Sequence, residues 1–233
     1  MTPRSHYAGK TAYRGEIAAN YDRDRVGEPI WQREQAWVES WARCLSAGAT
    51  VLDLPAGTGR FLEILWDRGA RVHAIDISED MLKALRARSV PKGASLVVTQ
   101  GDAEALECAD DSFDFVICWR LMHLLPSDAM ERVVRELARV CRGEIVLEVL
   151  GVYVGGPWGA AARAVKRRLR ALLGLRSRAG GKPWSHITNY PHREADLIAL
   201  FSRCGLHLES MESLMDYDGR PARTYLLRKR VGS

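Results

Sequence analysis

Through the middle of the chain, short apolar runs alternate with amphipathic stretches. Thr50–Leu54, Arg71–Ile75, Ser95–Thr99, Phe113–Cys118 and Glu144–Val149 are brief and mostly apolar, the pattern of buried parallel strands. Between them the apolar positions take helical spacing. Arg60–Arg68 carries Phe61, Leu62, Ile64, Leu65 and Trp66, and Ser78–Arg88 carries Met81, Leu82 and Leu85. Ser127–Arg142 places Met130, Val133, Val134, Leu137, Val140 and Cys141 on one face. Ser78 stands as the N-cap of its helix, with Glu79 and Asp80 in the first turn. This alternation predicts an α/β fold, a doubly wound and mostly parallel sheet covered on both faces.

The two ends read differently. Thr11–Tyr21 and Glu28–Leu45 are predicted helices, the second with Trp31, Val38, Trp41 and Leu45 on one stripe. At the other end a helix, His192–Cys204, stops at Gly205. Two extended runs follow, Leu206–Leu214 and Ala222–Arg230, joined by a turn over Asp216–Pro221, as an antiparallel pair at the sheet edge. There is no internal repeat. The expected organisation is one domain in four parts: N-terminal helices (1–45), a core (46–150), a helical insert after the fifth strand (151–190), and a C-terminal helix with its strand pair (191–233).

Composition changes this picture in one place. The 233 residues are 47% hydrophobic and 27% charged, which excludes a disordered or collagen-like chain. The net charge of +5 is uneven. From Val149 to Arg193, 45 residues hold nine basic side chains and no acid, so the remainder carries 25 bases against 29 acids. The five cysteines form no CxxC pair, which points to buried thiols in a reducing cytoplasm and to no metal site. No signal peptide and no membrane-spanning run are expected.

The strongest local signal is Asp53-Leu54-Pro55-Ala56-Gly57-Thr58-Gly59-Arg60-Phe61, a strand that ends in an acid, turns on small residues and enters a helix. Gly57 and Gly59 allow a backbone to approach a ligand closely. A dinucleotide fingerprint needs a third glycine where Leu62 stands, and a Walker loop is absent. Further acids follow the next two strands. Asp76 can accept hydrogen bonds from both hydroxyls of a ribose, and Asp102 can take the exocyclic amine of an adenine.

These residues together resemble the class I S-adenosylmethionine-dependent methyltransferases, over roughly residues 45–150. Asp53–Gly59 is similar to that family's first motif, with Pro55 in place of its first glycine. The resemblance implies a seven-stranded sheet with the last strand antiparallel, and S-adenosylmethionine as cofactor. It implies that Gly57 and Gly59 lie under the methionine part, that Asp76 binds the ribose with Ile77 beside the adenine, and that Asp53, Ala56 and Met81 also belong to the cofactor site. Asp102-Ala103 matches the adenine edge, and Cys118-Trp119, after the fourth strand, matches the amino acid end. Ile17–Asp22 resembles the N-terminal lid of small-molecule members, in which an aromatic hydroxyl reaches the cofactor carboxylate. Tyr21 and Tyr13 are the candidates here, with simple packing as the other reading.

Methyl transfer is an in-line displacement at a sulfonium carbon, so the protein mainly supplies position and a dry site. A base is required only where the acceptor loses a proton. His123 and Tyr21 are the catalytic candidates, with packing as the alternative for His123, and Arg120 is a candidate anchor for a carboxylate or phosphate. The basic insert reads as a helix over Pro157–Leu175, where this fold covers its acceptor. Tyr153, His186, Asn189 and Tyr190 are candidate substrate contacts. The insert's charge fits an anionic small molecule, a peripheral contact with an anionic membrane, or a solvated face. Nucleic acid is disfavoured because the rest of the chain is acidic. The expected function is a small-molecule methyltransferase, monomeric or homodimeric. Non-methylating chemistry on the same cofactor, and methylation of RNA or protein, are the alternatives.

Overall fold

Seven strands form one sheet in the computed structural model, which describes residues 7, 9–154, 189–216 and 221–229. They are β1 (Thr50–Asp53), β2 (Arg71–Asp76), β3 (Ser95–Gln100), β4 (Phe113–Cys118), β5 (Cys141–Val149), β6 (Leu206–Asp216) and β7 (Pro221–Lys229). Their spatial order is β3-β2-β1-β4-β5-β7-β6. The first five pair in parallel, whereas β7 runs antiparallel to both β5 and β6. The chain order reverses between β1 and β4, and ligands of open α/β sheets bind beyond the carboxyl ends of the strands at such a reversal.

Seven helices accompany the sheet among the described residues: α1 (Gly9–Ala12), α2 (Gly15–Arg25), α3 (Pro29–Trp41), α4 (Leu62–Trp66), α5 (Glu79–Arg86), α6 (Ser127–Val140) and α7 (Glu194–Arg203). Two apolar cores lie on opposite faces. One joins Met130, Val133 and Leu137 of α6 and Phe201 of α7 to Leu147, Tyr225 and Leu227 of the sheet. The other joins Val38 and Trp41 of α3 and Leu62, Leu65, Leu82 and Leu85 of α4 and α5 to Val51, Val72 and Val146. Alternate residues of β5 therefore serve opposite cores, as the two-residue period of a strand requires. The Trp41 indole donates to the buried Glu144 carboxylate of β5 at 2.7 Å, so this large ring keeps a polar partner inside the layer.

Three local expectations are corrected. Ser95–Gln100 is an edge strand, not a buried one: among the described residues it pairs only with β2, and Val97 is 53% exposed. An apolar run reports the residue types but not whether a neighbour covers them. The predicted helix over 11–21 is two helices, broken at Tyr13-Arg14, with Gly15 at φ +54°. The helix predicted to reach Arg142 ends at Val140, because Cys141 is already extended and pairs with Phe113. Its apolar side chain fits the helical stripe and the strand equally well. The turn between β6 and β7 and the helix expected over 157–175 lie outside the described residues.

Candidate functional site

The glycine turn after β1 builds the floor of a cavity of about 770 Å³, its open mouth included. Gly57 has φ +54° and Gly59 φ +77°, both in the left-handed region that other residues avoid. They serve different ends. A Cβ on Gly59 would stand 2.7 Å from Leu62 and 2.9 Å from Leu85, so this glycine lets the turn close onto two helices. A Cβ on Gly57 would meet nothing within 4 Å, because Gly57 faces the open cavity.

Asp76, at the end of β2, fastens this turn. Its carboxylate accepts the Gly57 N–H and the Ser78 N–H, each at 2.8 Å, and the residue is only 5% exposed. Burial raises its pKa, against the hydrogen bonds from Ser78, Gly57 and Ile77 that stabilise the charge. Asp76, Ile77, Met81, Ala56 and Gly57 line the cavity together. Asp102 and Ala103 line a smaller adjoining cavity that shares Lys10, Pro55, Ile77 and Leu121 with the first.

The N-terminal helices roof the cavity through Tyr13 and Tyr21, whose rings meet edge to face at 5.8 Å. Burial, then the neighbouring Tyr21, pushes the Tyr13 phenol up to about 12, so it stays a hydrogen-bond donor. Polar ties hold this roof to the core. Ser78 Oγ donates to the Tyr13 carbonyl, and Gly15 N–H donates to Asp80 at 2.9 Å. Thr58 Oγ1 and Arg88 both donate to Asp22, at 2.6 and 2.9 Å.

A buried charge cluster closes another part of the wall, where Trp31, Arg60, Phe61, Trp119 and Arg120 line the cavity. Glu34 of α3 is fully buried and takes Arg60 Nη1 at 2.5 Å, Arg120 Nε at 3.0 Å and Arg120 Nη2 at 2.7 Å. The Arg60 guanidinium also stacks 3.5 Å above the Trp31 ring. Arg120 sits at φ +57°, a backbone state that side chains other than glycine rarely adopt. Burial, the largest influence, works to lower the Arg120 pKa, but Glu34, by charge and hydrogen bond, together with Tyr21 and Glu148, holds the guanidinium above its ordinary value. Glu148 of β5 is fully buried beside Glu34. Burial first and Glu34 second raise its pKa well above the ordinary carboxylate range. Arg60, Glu34, Glu148 and Lys10 did not emerge from the sequence as site residues. One signal was present: Glu34 falls on the same stripe as Trp31, Val38 and Trp41, an acid on a buried face.

Other candidates lie off the cavity wall. Asp53 and Cys118 are buried behind it, at the ends of β1 and β4. Trp119 does line it and packs on Phe61 and Trp37. His123 is 7% exposed, and burial, followed by the charges of Arg120 and Arg25, pushes its imidazole down to about 3. It is neutral at physiological pH and a weak base, which favours the packing role. Its carbonyl accepts the Tyr190 N–H at 2.8 Å, and the Tyr153 N–H bonds the His192 carbonyl at 2.8 Å. Tyr153, Asn189 and Tyr190 thus gather near the His123 loop without lining the cavity. His186 lies outside the described residues.

Asp53 supplies a pH prediction. Burial, then the Asp76 charge, pushes its carboxyl up to about 8. Between an ordinary aspartate value and 8 the folded chain keeps a proton that the unfolded chain has lost. This contribution to stability is therefore full at acid pH and is lost as pH rises through 8. Asp53→Asn is expected to gain on the parent by about 1.4 kcal/mol per pH unit from pH 5 to 8. Urea melts at both ends of that range check it, and an unchanged difference would sink the assignment.

Comparison with known proteins agrees with this geometry. Residues 51–144 match the model of a family described as a methyltransferase domain. The matched span carries the glycine turn, Asp76 and Asp102. That span is similar to a methyltransferase domain. The solved magnesium protoporphyrin IX methyltransferase from Synechocystis, with S-adenosylmethionine bound, shares the fold. The superposition covers 98% of this chain and 100% of that one, with a TM-score of 0.69 at 15% identity. A phosphatidylethanolamine N-methyltransferase from Cereibacter sphaeroides is 37% identical over 124 residues, 52% of this chain and 60% of the relative. A malonyl-[acyl-carrier protein] O-methyltransferase from Methylococcus capsulatus is 39% identical over 157 residues, 64% of this chain and 54% of the relative. The chain thus spans somewhat over half the length of these relatives.

The cofactor of this family, S-adenosylmethionine, suits the residues present. Gly57 leaves open the space that a side chain would fill, and a buried carboxylate at Asp76 lies one strand away. Among the described residues no helix is long and apolar enough to cross a membrane.

Proposed function

We propose that this chain is a methyltransferase that binds S-adenosylmethionine in the cavity and methylates a small molecule bearing an anionic group. When bound, the cofactor supplies a methyl group already activated on a sulfonium. The chain's residues have to hold, orient and desolvate. The observation that carries the reading is the wall shared by the glycine turn and Asp76. The Gly57 N–H binds the carboxylate that is suited to a ribose diol, so methionine-side and ribose-side contacts come from one rigid unit. Asp102 is the acceptor for the adenine amine, Ile77 and Met81 flank the ring, and Tyr13 and Tyr21 close over the amino acid end. Asp53 and Cys118 act from behind the wall, as supports.

The cationic groups Arg60 and Arg120 support an acceptor with a carboxylate or phosphate, and Arg120 is the anchor we assign. Arg60 and Arg120 share the Glu34 carboxylate, and Arg120 Nη1 also lies 3.9 Å from Glu28 Oε2, so both guanidiniums are held in place where they line the cavity. Tyr153, Asn189 and Tyr190, near the His123 loop, are assigned to the acceptor side. Five free cysteines agree with work in the cytoplasm.

The deciding experiment incubates the full chain with methyl-labelled S-adenosylmethionine and three acceptors. These are phosphatidylethanolamine vesicles and malonyl-acyl carrier protein, chosen from the relatives' names, and bulk RNA. Label in a small or carrier-bound acceptor supports the reading, and label only in RNA overturns it. Consumption of the cofactor without any acceptor, giving products other than S-adenosylhomocysteine, would replace methyl transfer with chemistry on the cofactor itself.

A further inference from the structure

Lys10 pairs with two acids that follow the third strand. Its ammonium lies 2.7 Å from Asp102 Oδ2 and 2.5 Å from Glu104 Oε1, and 5.3 Å from the centre of the Tyr7 ring. All three charged side chains are nearly sealed, at 11% exposure for Lys10, 10% for Asp102 and 1% for Glu104. Glu104 is held from its other side by Arg132 Nε at 2.7 Å. The second Asp102 oxygen takes the Glu104 N–H at 3.1 Å. Both oxygens of Asp102 are therefore oriented, one by its own turn and one by a cation from the roof. Charge-assisted hydrogen bonds of this kind are the strong ones, and they strengthen when water is kept out.

The position of Lys10 gives these contacts a use. Lys10 lines both the main cavity and the smaller one beside Asp102, so it stands where roof and floor meet at the purine end. Other ties of the roof, at Tyr13, Gly15 and Asp22, attach it to Thr58, Ser78, Asp80 and Arg88, away from Asp102. Opening of the purine end therefore requires the Lys10 pairs to break.

We infer that Lys10 is a positioning residue for the cofactor, an ionic latch that holds the N-terminal segment over the purine and fixes Asp102 for the exocyclic amine. This rests on the assignment of Asp102 to the adenine edge. A carboxylate accepts about four hydrogen bonds, so the lysine and a purine amine share it without exclusion. The latch acts on release. A ligand beneath it leaves only after the ion pairs open, while the encounter with the open form needs no lysine.

The test uses S-adenosylhomocysteine and methylthioadenosine, which lacks the amino acid end, on the full chain by calorimetry and stopped flow. Lys10→Gln is expected to speed release of S-adenosylhomocysteine at least about tenfold, because both ion pairs of Lys10 lose their charge, with association little changed. The same factor is expected for methylthioadenosine, because the latch sits at the purine end. Lys10→Arg is expected to restore most of it. Unchanged release in Lys10→Gln, or an effect confined to S-adenosylhomocysteine, overturns the latch. Asp102→Asn separates the two levels of the argument. If it weakens both ligands while Lys10→Gln does nothing, the adenine-edge assignment stands and the latch falls. If Asp102→Asn leaves both ligands unaffected, the assignment itself fails and takes the latch with it.

Discussion

Asp76→Ala is expected to weaken S-adenosylhomocysteine binding by about a hundredfold, the loss of two hydrogen bonds to a charged acceptor. The argument has two parts. A buried carboxylate that meets a diol is replaced by a methyl group that offers nothing. The Gly57 and Ser78 N–H groups also lose their acceptor, so the turn beneath the cofactor loosens. Asp76→Asn keeps an oxygen for one of these donors and is expected to fall between the two. Calorimetry on the folded variants measures the effect. A loss below threefold in Asp76→Ala would remove Asp76 from the site. Ligand-free melts run alongside separate binding from folding, because burial already opposes the charge of Asp76 in the parent.

The second large effect concerns stability. Glu34→Ala is expected to cost about 3–5 kcal/mol, because two guanidiniums are left sealed without their shared counter-ion. Arg60 and Arg120 are 10% and 9% exposed, so water cannot replace the lost carboxylate without opening the wall. Glu148→Gln serves as the contrast. Burial and Glu34 hold the Glu148 pKa well above the carboxylate range, and glutamine matches the size of its acid form, so a change within about 1 kcal/mol is expected. Urea denaturation of both variants at neutral pH decides this. Equal, large losses would mean that Glu148 is ionised and that the charge cluster is balanced differently.

Much of the fold was legible because burial on both sheet faces leaves an unambiguous mark. β4 has the limits expected of it, and β1 and β2 end within one residue of theirs. Errors came where one residue satisfied two patterns, as Cys141 does, or where exposure depended on a missing neighbour, as in β3. The site divides in the same way. Gly57, Gly59 and Asp76 are adjacent to strand ends, and strand ends are where such a sheet binds ligands, so local sequence sufficed. His123 was attractive for its ordinary titration range, and that range disappears once it is buried near two arginines.

The sequence by itself determined the strand–helix alternation, the glycine turn, the row of acids and, through them, the likeness of the core to a methyltransferase domain. These are local patterns, set by periodicity and by residues a few positions apart. Only the tertiary structure decided which charges meet. Glu34 and Arg120 are 86 residues apart and Lys10 and Asp102 are 92, and nothing in local spacing relates them. The physical reason is that ion pairing carries no period. A charge shows its type in the sequence, but its energy depends on the partner and the water that folding brings to it or removes.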